Sequence, residues 1–426
     1  MNYNEALDYI HKINWCFCNP GLDRITELCN KLDNPQKKLK FIHVAGTNGK
    51  GSFCAMLSSI LGKAGYKVGL FTSPYVKVFN ERMAINGEMI SNEELASLTE
   101  KIKPLADSME DKPTEFELIT ALAFEYFANN GCDYVVLECG LGGRLDSTNV
   151  IDTSILSVIT GIALDHTAIL GDTIDKIAYE KAGILKKNIP CLWCGDNEVA
   201  SKVILKRAAE VGSEFHTVER KNLKGKELSL NGSVVDWKTI KDIKVALLGK
   251  YQLNNVANVL TAVEILNENG LQIDEKSIRE GLLSVVWHAR FEIINKSPLI
   301  IADGGHNPEG VESAVESVKA YFGNKKINVL TGVMADKDYQ YIAEQISSVC
   351  QEAFCITPNN PRALSSKEYA DVYIKKGISA GAYDTVFDAL ESAIKRAIET
   401  DTPIICLGSL YMYCEVCECL EKMLKN

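Results

Sequence analysis

The run Phe41-Ile42-His43-Val44-Ala45-Gly46-Thr47-Asn48-Gly49-Lys50-Gly51-Ser52 leads straight into an apolar stretch from Phe53 to Ala64. Phe41 to Val44 read as a short buried strand and Phe53 to Ala64 as a helix, with three glycines in the turn between them. Such a turn directs its backbone N–H groups and the positive end of the following helix at one point, which suits a phosphate. Lys50 can reach the outer phosphates, and the Ser52 hydroxyl is placed to hold Mg²⁺. The pattern G-x-x-x-x-G-K-[ST] is not met to the letter, because Val44 takes its first glycine position and Gly51 separates Lys50 from Ser52. A glycine-rich turn that binds nothing is the alternative. The strand–loop–helix order favours a nucleoside triphosphate site.

At 426 residues the chain is long for one domain, and two are expected. A net charge of −10 without a basic run argues against nonspecific nucleic-acid binding and against anionic membrane surfaces. No apolar stretch is long enough to span a bilayer. Met1 to Ile13 has the pattern of an amphipathic helix (Leu7, Ile10, Ile13) with acidic residues, not of a secretion signal. The fourteen cysteines are scattered, and Cys54, Cys139, Cys355 and Cys406 sit in apolar runs, as in a reducing cytoplasm. Cys191-x-x-Cys194 and Cys414-x-x-Cys417-x-Cys419 have half-site spacing. The first pair lies in a strand-like run without further partners and the second set on a helix pattern, so neither metal nor redox function is expected of them.

Leu22, Ile25, Leu28, Cys29 and Leu32 predict a helix that stops at Asp33-Asn34-Pro35. Lys67 to Phe71 predicts a strand, Asn86-Gly87 a hairpin, and Ser91 with Glu94 a capped helix start. Phe116 to Ala128 is apolar on nearly every face and predicts a buried helix. Tyr134 to Leu137 and Ile155 to Ile159 predict buried strands, the first ending on Glu138 and the second leading to Leu164-Asp165-His166. Strands without alternation, separated by helices, describe a parallel sheet covered on both faces, and ligands gather at its carboxyl edge. The phosphate loop, Ser73, Glu138 and His166 all fall at that edge.

Ser213 to Val245 reads as a charged, short-stranded excursion, and Tyr251 to Leu266 returns to helix. From Leu299 a fresh alternation of strands and helices runs to the end, a smaller α/β domain with its own sheet. Two domains joined near residue 290 imply a cleft of the kind in which substrate sites are common.

With these residues in view, the sequence resembles folylpolyglutamate synthase, of the Mur-ligase-related family that includes dihydrofolate synthase. The resemblance covers essentially the whole chain. It rests on Gly21-Leu22-Asp23-Arg24-Ile25, the phosphate loop, Phe71-Thr72-Ser73-Pro74 with Glu81-Arg82, and Thr114-Glu115-Phe116-Glu117. It continues through Glu138-Cys139-Gly140-Leu141-Gly142-Gly143-Arg144-Leu145-Asp146-Ser147-Thr148-Asn149, Leu164-Asp165-His166-Thr167 and Glu180-Lys181-Ala182-Gly183-Ile184. Asp303-Gly304-Gly305-His306-Asn307-Pro308 and Gly408-Ser409-Leu410-Tyr411 complete it. The implied architecture is a P-loop ATPase domain with a mostly parallel sheet over residues 1–290, and a smaller Rossmann-like glutamate-ligase domain over 291–426.

The resemblance implies a cytoplasmic, monomeric ligase that joins L-glutamate to a folate carboxylate, with ATP forming an acyl phosphate intermediate; dihydropteroate is a further candidate acceptor. The implied nucleotide contacts are Thr47, Asn48, Gly49, Lys50, Gly51, Ser52, Asn255, Arg290 and Asp303. Ser52, Ser73, Glu138, His166 and Lys181 are the implied ligands of two Mg²⁺ ions, with Lys181 carbamylated by CO₂. Lys50, Lys181, Asp303 and His306 are implied in catalysis, and Ser409 on the glutamate side. Three of these have plain alternatives: Asn255 as a helix cap, His306 as a cap for the helix after Pro308, and Lys181 as a surface lysine. Glu115 reads as a first-turn helix acid and stays out of the metal set.

Tyr75 stands where many members have His, and His288-Ala289 where Pro-Gly or Pro-Ala is usual, so details on the folate side or at the domain joint are the ones in play. Two other readings remain. A Mur-type ligase acting on a peptidoglycan precursor is expected to carry an additional N-terminal domain ahead of its phosphate loop, which here begins near residue 45. A non-catalytic nucleotide-binding regulator should have lost some of Glu138, His166, Lys181, Asp303 or His306, and all are present.

Overall fold

A computed structural model describes residues 1–12 and 21–425. The chain forms two compact units, one of Met1–Asn222 with Asn255–Val285, the other of Leu223–Asn254 with Val286–Asn426.

The first unit is built on an eight-stranded sheet. Its strands are β1 (Phe41–Ala45), β2 (Val68–Phe71), β3 (Met83–Ile85), β4 (Glu88–Met89), β5 (Tyr134–Glu138), β6 (Ser154–Ile159), β7 (Cys191–Trp193) and β8 (Phe215–Thr217), in the order β4-β3-β2-β5-β1-β6-β7-β8. All pairings among β2, β5, β1, β6, β7 and β8 are parallel, and only the β2–β3–β4 end is antiparallel. The predicted strands are therefore present, and β1 lies in the middle. A parallel strand hidden on both sides needs no alternation, and β1 is buried at every position. One hydrophobic cluster joins Phe41, Phe71 and Leu137 to the buried helix Glu115–Asn129; another joins Ala45, Ile159 and Trp193 to the helices Ile174–Ala182 and Glu198–Val211.

The helix expected from Phe53 starts at Lys50, because Gly49 adopts φ +84° and turns the loop directly into it. The hairpin at Asn86-Gly87 has both residues at positive φ, and Ser91 Oγ accepts from Glu94 N at 3.0 Å. The first helix covers Tyr3–Lys12 and buries Ile10; Ile13, expected to continue that stripe, lies outside the described residues.

In the second unit β9 (Leu223–Ser229), β10 (Gly232–Trp237) and β11 (Ile240–Val245) form an antiparallel sheet in the order β11-β10-β9. The sequence reading grouped all of 1–290 together, whereas this small sheet packs with the second unit. Leu230, in the turn between β9 and β10, and Leu248, just after β11, join the same hydrophobic cluster as Val311 and Val315 of the helix Pro308–Phe322. The larger sheet comprises β12 (Glu292–Lys296), β13 (Leu299–Ala302), β14 (Ile327–Thr331), β15 (Cys350–Cys355), β16 (Ser379–Ala382) and β17 (Ile404–Leu407). Its order is β12-β13-β17-β14-β15-β16, parallel except for the β12–β13 pair.

Candidate active site

The phosphate loop leaves the carboxyl end of β1 and is fixed by the segment that follows β6. Thr160 Oγ1 donates to Asn48 O at 2.7 Å, and Thr47 N donates to Gly161 O at 2.6 Å. A side chain on Gly46 would overlap Thr160 Oγ1, and one on Gly49 would press on Asn255 Oδ1. Asn255 therefore lies against the loop. It sits inside the first turn of the helix Gln252–Glu268 rather than ahead of it, so the capping alternative does not hold. Lys50 Nζ donates to Thr47 O at 3.1 Å and stands 3.9 Å from Glu138 Oε1. Glu138, the last residue of β5, is buried, and its Oε2 accepts from Ser73 N at 3.4 Å. Ser52 is buried in the first turn of the loop's own helix.

Lys181 is the most informative residue. It is only 4% exposed, which removes the surface-lysine alternative, and its Nζ donates to Gly46 O at 2.7 Å. Burial, reinforced by the charge of Lys50, pulls its pKa down to about 7. Its helix is held by the segment after β5. Arg144 donates to the Glu180 carboxylate through Nε at 3.2 Å and Nη2 at 2.9 Å, while Arg144 N donates to Glu180 O at 2.7 Å. Asn149 Nδ2 spans Arg144 O at 3.0 Å and Gly183 O at 3.2 Å. The Glu138–Asn149 motif thus supplies a carboxylate at one end and a clamp for the Lys181 helix at the other.

His166 stands apart from that buried set. It is exposed, with φ +49°, just before the short helix Thr167–Leu170. The charge of its neighbour Asp165 opposes the lowering of the Lys181 pKa. The sequence reading gave no role to His43, which lies under the loop with Nε2 at 2.9 Å from Thr148 Oγ1 and 3.1 Å from Cys139 Sγ. Burial pushes its pKa down to about 3, so it is neutral. Thr148 Oγ1 in turn donates to Asp146 Oδ1 at 2.5 Å. An apolar strand context gave no local signal for this network.

In the second unit, the loops after β13 and β17, neighbours in the sheet, carry the remaining candidates. Asp303 is buried, and its Oδ2 accepts from Tyr251 OH at 2.6 Å and Phe291 N at 2.9 Å. Oδ1 accepts from Gly305 N at 2.8 Å, and burial raises the pKa of the carboxyl. Arg290 Nη1 donates to Ala289 O at 2.8 Å, against Gly304, where any side chain would clash with it. Gly408 N donates to Gly305 O at 3.2 Å, drawing the Ser409 loop beside the His306 loop. Asn307 Oδ1 caps the helix Pro308–Phe322 by accepting from Gly310 N at 2.8 Å, so His306 is not the cap. His306 Nδ1 lies 2.9 Å from Gly304 O, a carbonyl that can only accept, so the ring carries a proton on Nδ1. Ser409 Oγ accepts from Tyr411 N at 3.3 Å.

The departures find partners. His288 Nδ1 pairs with Glu292 Oε1 at 2.9 Å, and Tyr413 OH donates to Glu292 Oε2 at 2.6 Å. Arg82 lies over the Tyr75 ring, 5.2 Å from its centre. The described cysteines are free thiols, Cys191 and Cys194 are buried, and burial raises the Cys191 pKa to about 12, so that pair is chemically quiet. Glu115 Oε1 pairs with His11 Nδ1 at 3.0 Å. Among the described residues, no three His, Cys, Asp or Glu side chains form a metal cage. One buried carboxylate beside a phosphate loop instead fits Mg²⁺, which takes few protein ligands and keeps phosphate and water oxygens.

Comparisons with known proteins give a family at both ends of the chain. Residues 44–264 match the Mur ligase middle domain, and residues 289–410 the Mur ligase glutamate ligase domain. Dihydrofolate synthase/folylpolyglutamate synthase of Bacillus subtilis is 37% identical over 97% of this chain and 98% of its own length. Folylpolyglutamate synthase of Lacticaseibacillus casei is 35% identical over 97% of each. Among solved structures, Thermotoga maritima folylpolyglutamate synthase superposes with a TM-score of 0.85 at 34% identity, covering 100% of this chain and 98% of its own. Escherichia coli FolC in complex with DHPP and ADP gives 0.86 at 28% identity, covering 100% and 99%.

Proposed function

The chain belongs to the Mur ligase family, among the folylpolyglutamate and dihydrofolate synthases, and from that membership we propose how its residues run the reaction. It is an ATP-dependent ligase that adds L-glutamate to a folate carboxylate. The carboxylate oxygen attacks the γ-phosphorus, the bond to ADP breaks, and an acyl phosphate forms. The glutamate nitrogen then attacks the acyl carbon, and phosphate leaves from the tetrahedral intermediate.

The observation that carries the assignment of roles is the convergence of Lys50, Glu138 and Lys181 on one phosphate loop. Lys50 and the loop N–H groups, from Thr47 to Ser52, stabilise the charge on the transferring phosphoryl group. Asn255 serves the adenine side. Ser52, Ser73, Glu138 and His166 are the groups that would hold Mg²⁺, which when bound neutralises charge on the phosphates. Lys181 is the site of a carbamate, which turns a buried cation into an oxygen donor. Arg290 serves the nucleotide phosphates, and Asp303 the nucleotide as a whole. His306 acts at the incoming glutamate, and Ser409 positions that amino acid. We place the enzyme in the cytoplasm on the strength of the free thiols among its described residues, most of them buried, and take it to act as a monomer; no helix among the described residues is long and apolar enough to cross a membrane.

Purified protein with ATP, L-glutamate and a reduced folate should release ADP and phosphate and yield a product one glutamate heavier by mass spectrometry. A parallel reaction with dihydropteroate tests the second acceptor. Turnover of neither acceptor, in protein that binds ATP, would overturn the ligase reading in favour of a nucleotide-binding regulator.

A further inference from the structure

Arg290 is flanked by two residues in a conformation that L side chains avoid. Ala289 has φ +54° and Phe291 φ +50°, and both side chains are fully buried. A bulky aromatic at positive φ is a genuine outlier and persists only where its surroundings over-determine it. Here each strained N–H ends on a carboxylate: Ala289 N donates to Glu292 Oε2 at 2.9 Å, and Phe291 N to Asp303 Oδ2 at 2.9 Å. Ala289 O is engaged too, by Gly304 N and by Arg290 Nη1, each at 2.8 Å. The Phe291 ring stacks on Tyr321, with centroids 5.2 Å apart.

Tyr251 controls the Asp303 arm. Its hydroxyl donates to the same oxygen, Oδ2, that receives Phe291 N–H, at 2.6 Å. The carboxylate therefore has its position fixed by a phenol from a different element, just before the helix Gln252–Glu268. We propose that Tyr251 is a positioning residue for Arg290: it locks Asp303, Asp303 holds the left-handed Phe291, and the guanidinium is thereby presented in one orientation. The proposal rests on the phosphate role assigned to Arg290 above. A guanidinium acts through the direction of its fork as much as through its charge, so a loosened backbone lowers turnover without removing the cation.

A double-mutant cycle on Tyr251→Phe and Arg290→Lys tests this, read in the ATP- and folate-dependent glutamate-incorporation assay. Tyr251→Phe keeps the buried ring and removes only the hydroxyl. In the wild-type background it should lower kcat about tenfold, with the KM for folate and glutamate within twofold. In the Arg290→Lys background, where the oriented fork is already gone, the same change should lower kcat less than twofold. Equal losses in both backgrounds, or no loss in the first, would overturn the inference while leaving the role of Arg290 standing. Wild-type turnover in Arg290→Lys alone would overturn the phosphate role itself, and the inference with it. Melting temperatures of all four proteins verify folding; if Tyr251→Phe does not fold, Tyr251→His, which keeps a donor, takes its place. The cycle then runs in reverse: His should retain most of the activity, and a tenfold loss in both backgrounds would overturn the inference.

Discussion

Withdrawing CO₂ should switch this enzyme off, and the size of the effect follows from the burial of Lys181. Carbamylation joins an unprotonated amine nitrogen to the carbon of CO₂ and releases one proton. An ordinary lysine, with a pKa of about 10.4, is unprotonated in only about one molecule in 2,500 near pH 7. With its pKa pulled down to about 7, Lys181 is unprotonated in roughly half, an enrichment on the order of a thousandfold. The product carries a negative charge beside Lys50 in place of a positive one, so the repulsion that helps to lower the pKa becomes an attraction. The same shift makes a stability prediction for the unmodified protein. Between about pH 7 and 10.5 the unfolded lysine binds the proton that the folded one lacks, so stability rises with pH across that window. The penalty is largest below about pH 7, on the order of 5 kcal/mol, and vanishes above 10.5. In CO₂-free buffer Lys181→Met should therefore be more stable than wild type at neutral pH, with the gap closing as pH rises. Wild-type turnover should fall in that buffer and return with bicarbonate, while Lys181→Met stays inactive in both. Carbon-13-labelled bicarbonate should give a carbamate NMR signal that acid denaturation abolishes. Activity indifferent to bicarbonate, together with no such signal, would refute the reasoning.

Lys50→Ala should lower turnover on the order of a thousandfold, as for removal of a preorganised transition-state donor, with the melting temperature nearly unchanged because Lys50 is partly exposed at the loop; near-wild-type glutamate incorporation would contradict its role. Chelation with EDTA should abolish activity and Mg²⁺ restore it, whereas Zn²⁺ should not, since no cage of three His, Cys, Asp or Glu exists among the described residues. Ala289→Gly should fold within about 1 kcal/mol of wild type, because glycine accepts φ +54° freely, while Ala289→Val should be destabilised by about 1–3 kcal/mol and lose activity. Urea melts paired with kcat measurements separate the two, and equal behaviour of Gly and Val would mean that the left-handed backbone is not a constraint.

How much of this was legible in the sequence depends on whether a feature is local. The phosphate loop, the buried strands β1, β5 and β6, and the Asn86-Gly87 hairpin are written in contiguous residues, and each appears where the pattern put it. The strands that escaped notice lack that local signature. In β16, Ser379-Ala380-Gly381-Ala382 has neither β-branched nor aromatic residues and is a strand only because β15 lies alongside. β12 pairs antiparallel with β13 across the turn at Ser297-Pro298, and its residues Glu292 and Asn295 gave no apolar run to read. The small sheet β9–β11 was visible as a break in pattern, but the unit to which it belongs is decided by hydrophobic contacts with a helix dozens of residues away.

The site divides along the same line. Glycine spacing and strand ends single out the candidates, and Lys50, Ser73 and Glu138 among them meet at one loop while His166 stands apart. Their electrostatic state does not follow from spacing at all. Lys181 occupies a helical position that a surface lysine would fill equally well; what sets it apart is its burial, together with the neighbouring charge of Lys50, which lowers its pKa. Tyr251 and Phe291 are ordinary aromatic residues in sequence, and only their shared carboxylate, Asp303, shows that one constrains the other. Desolvation and backbone strain are properties of three-dimensional neighbours, so the residues that tune this site were bound to be harder to find than the residues that form it.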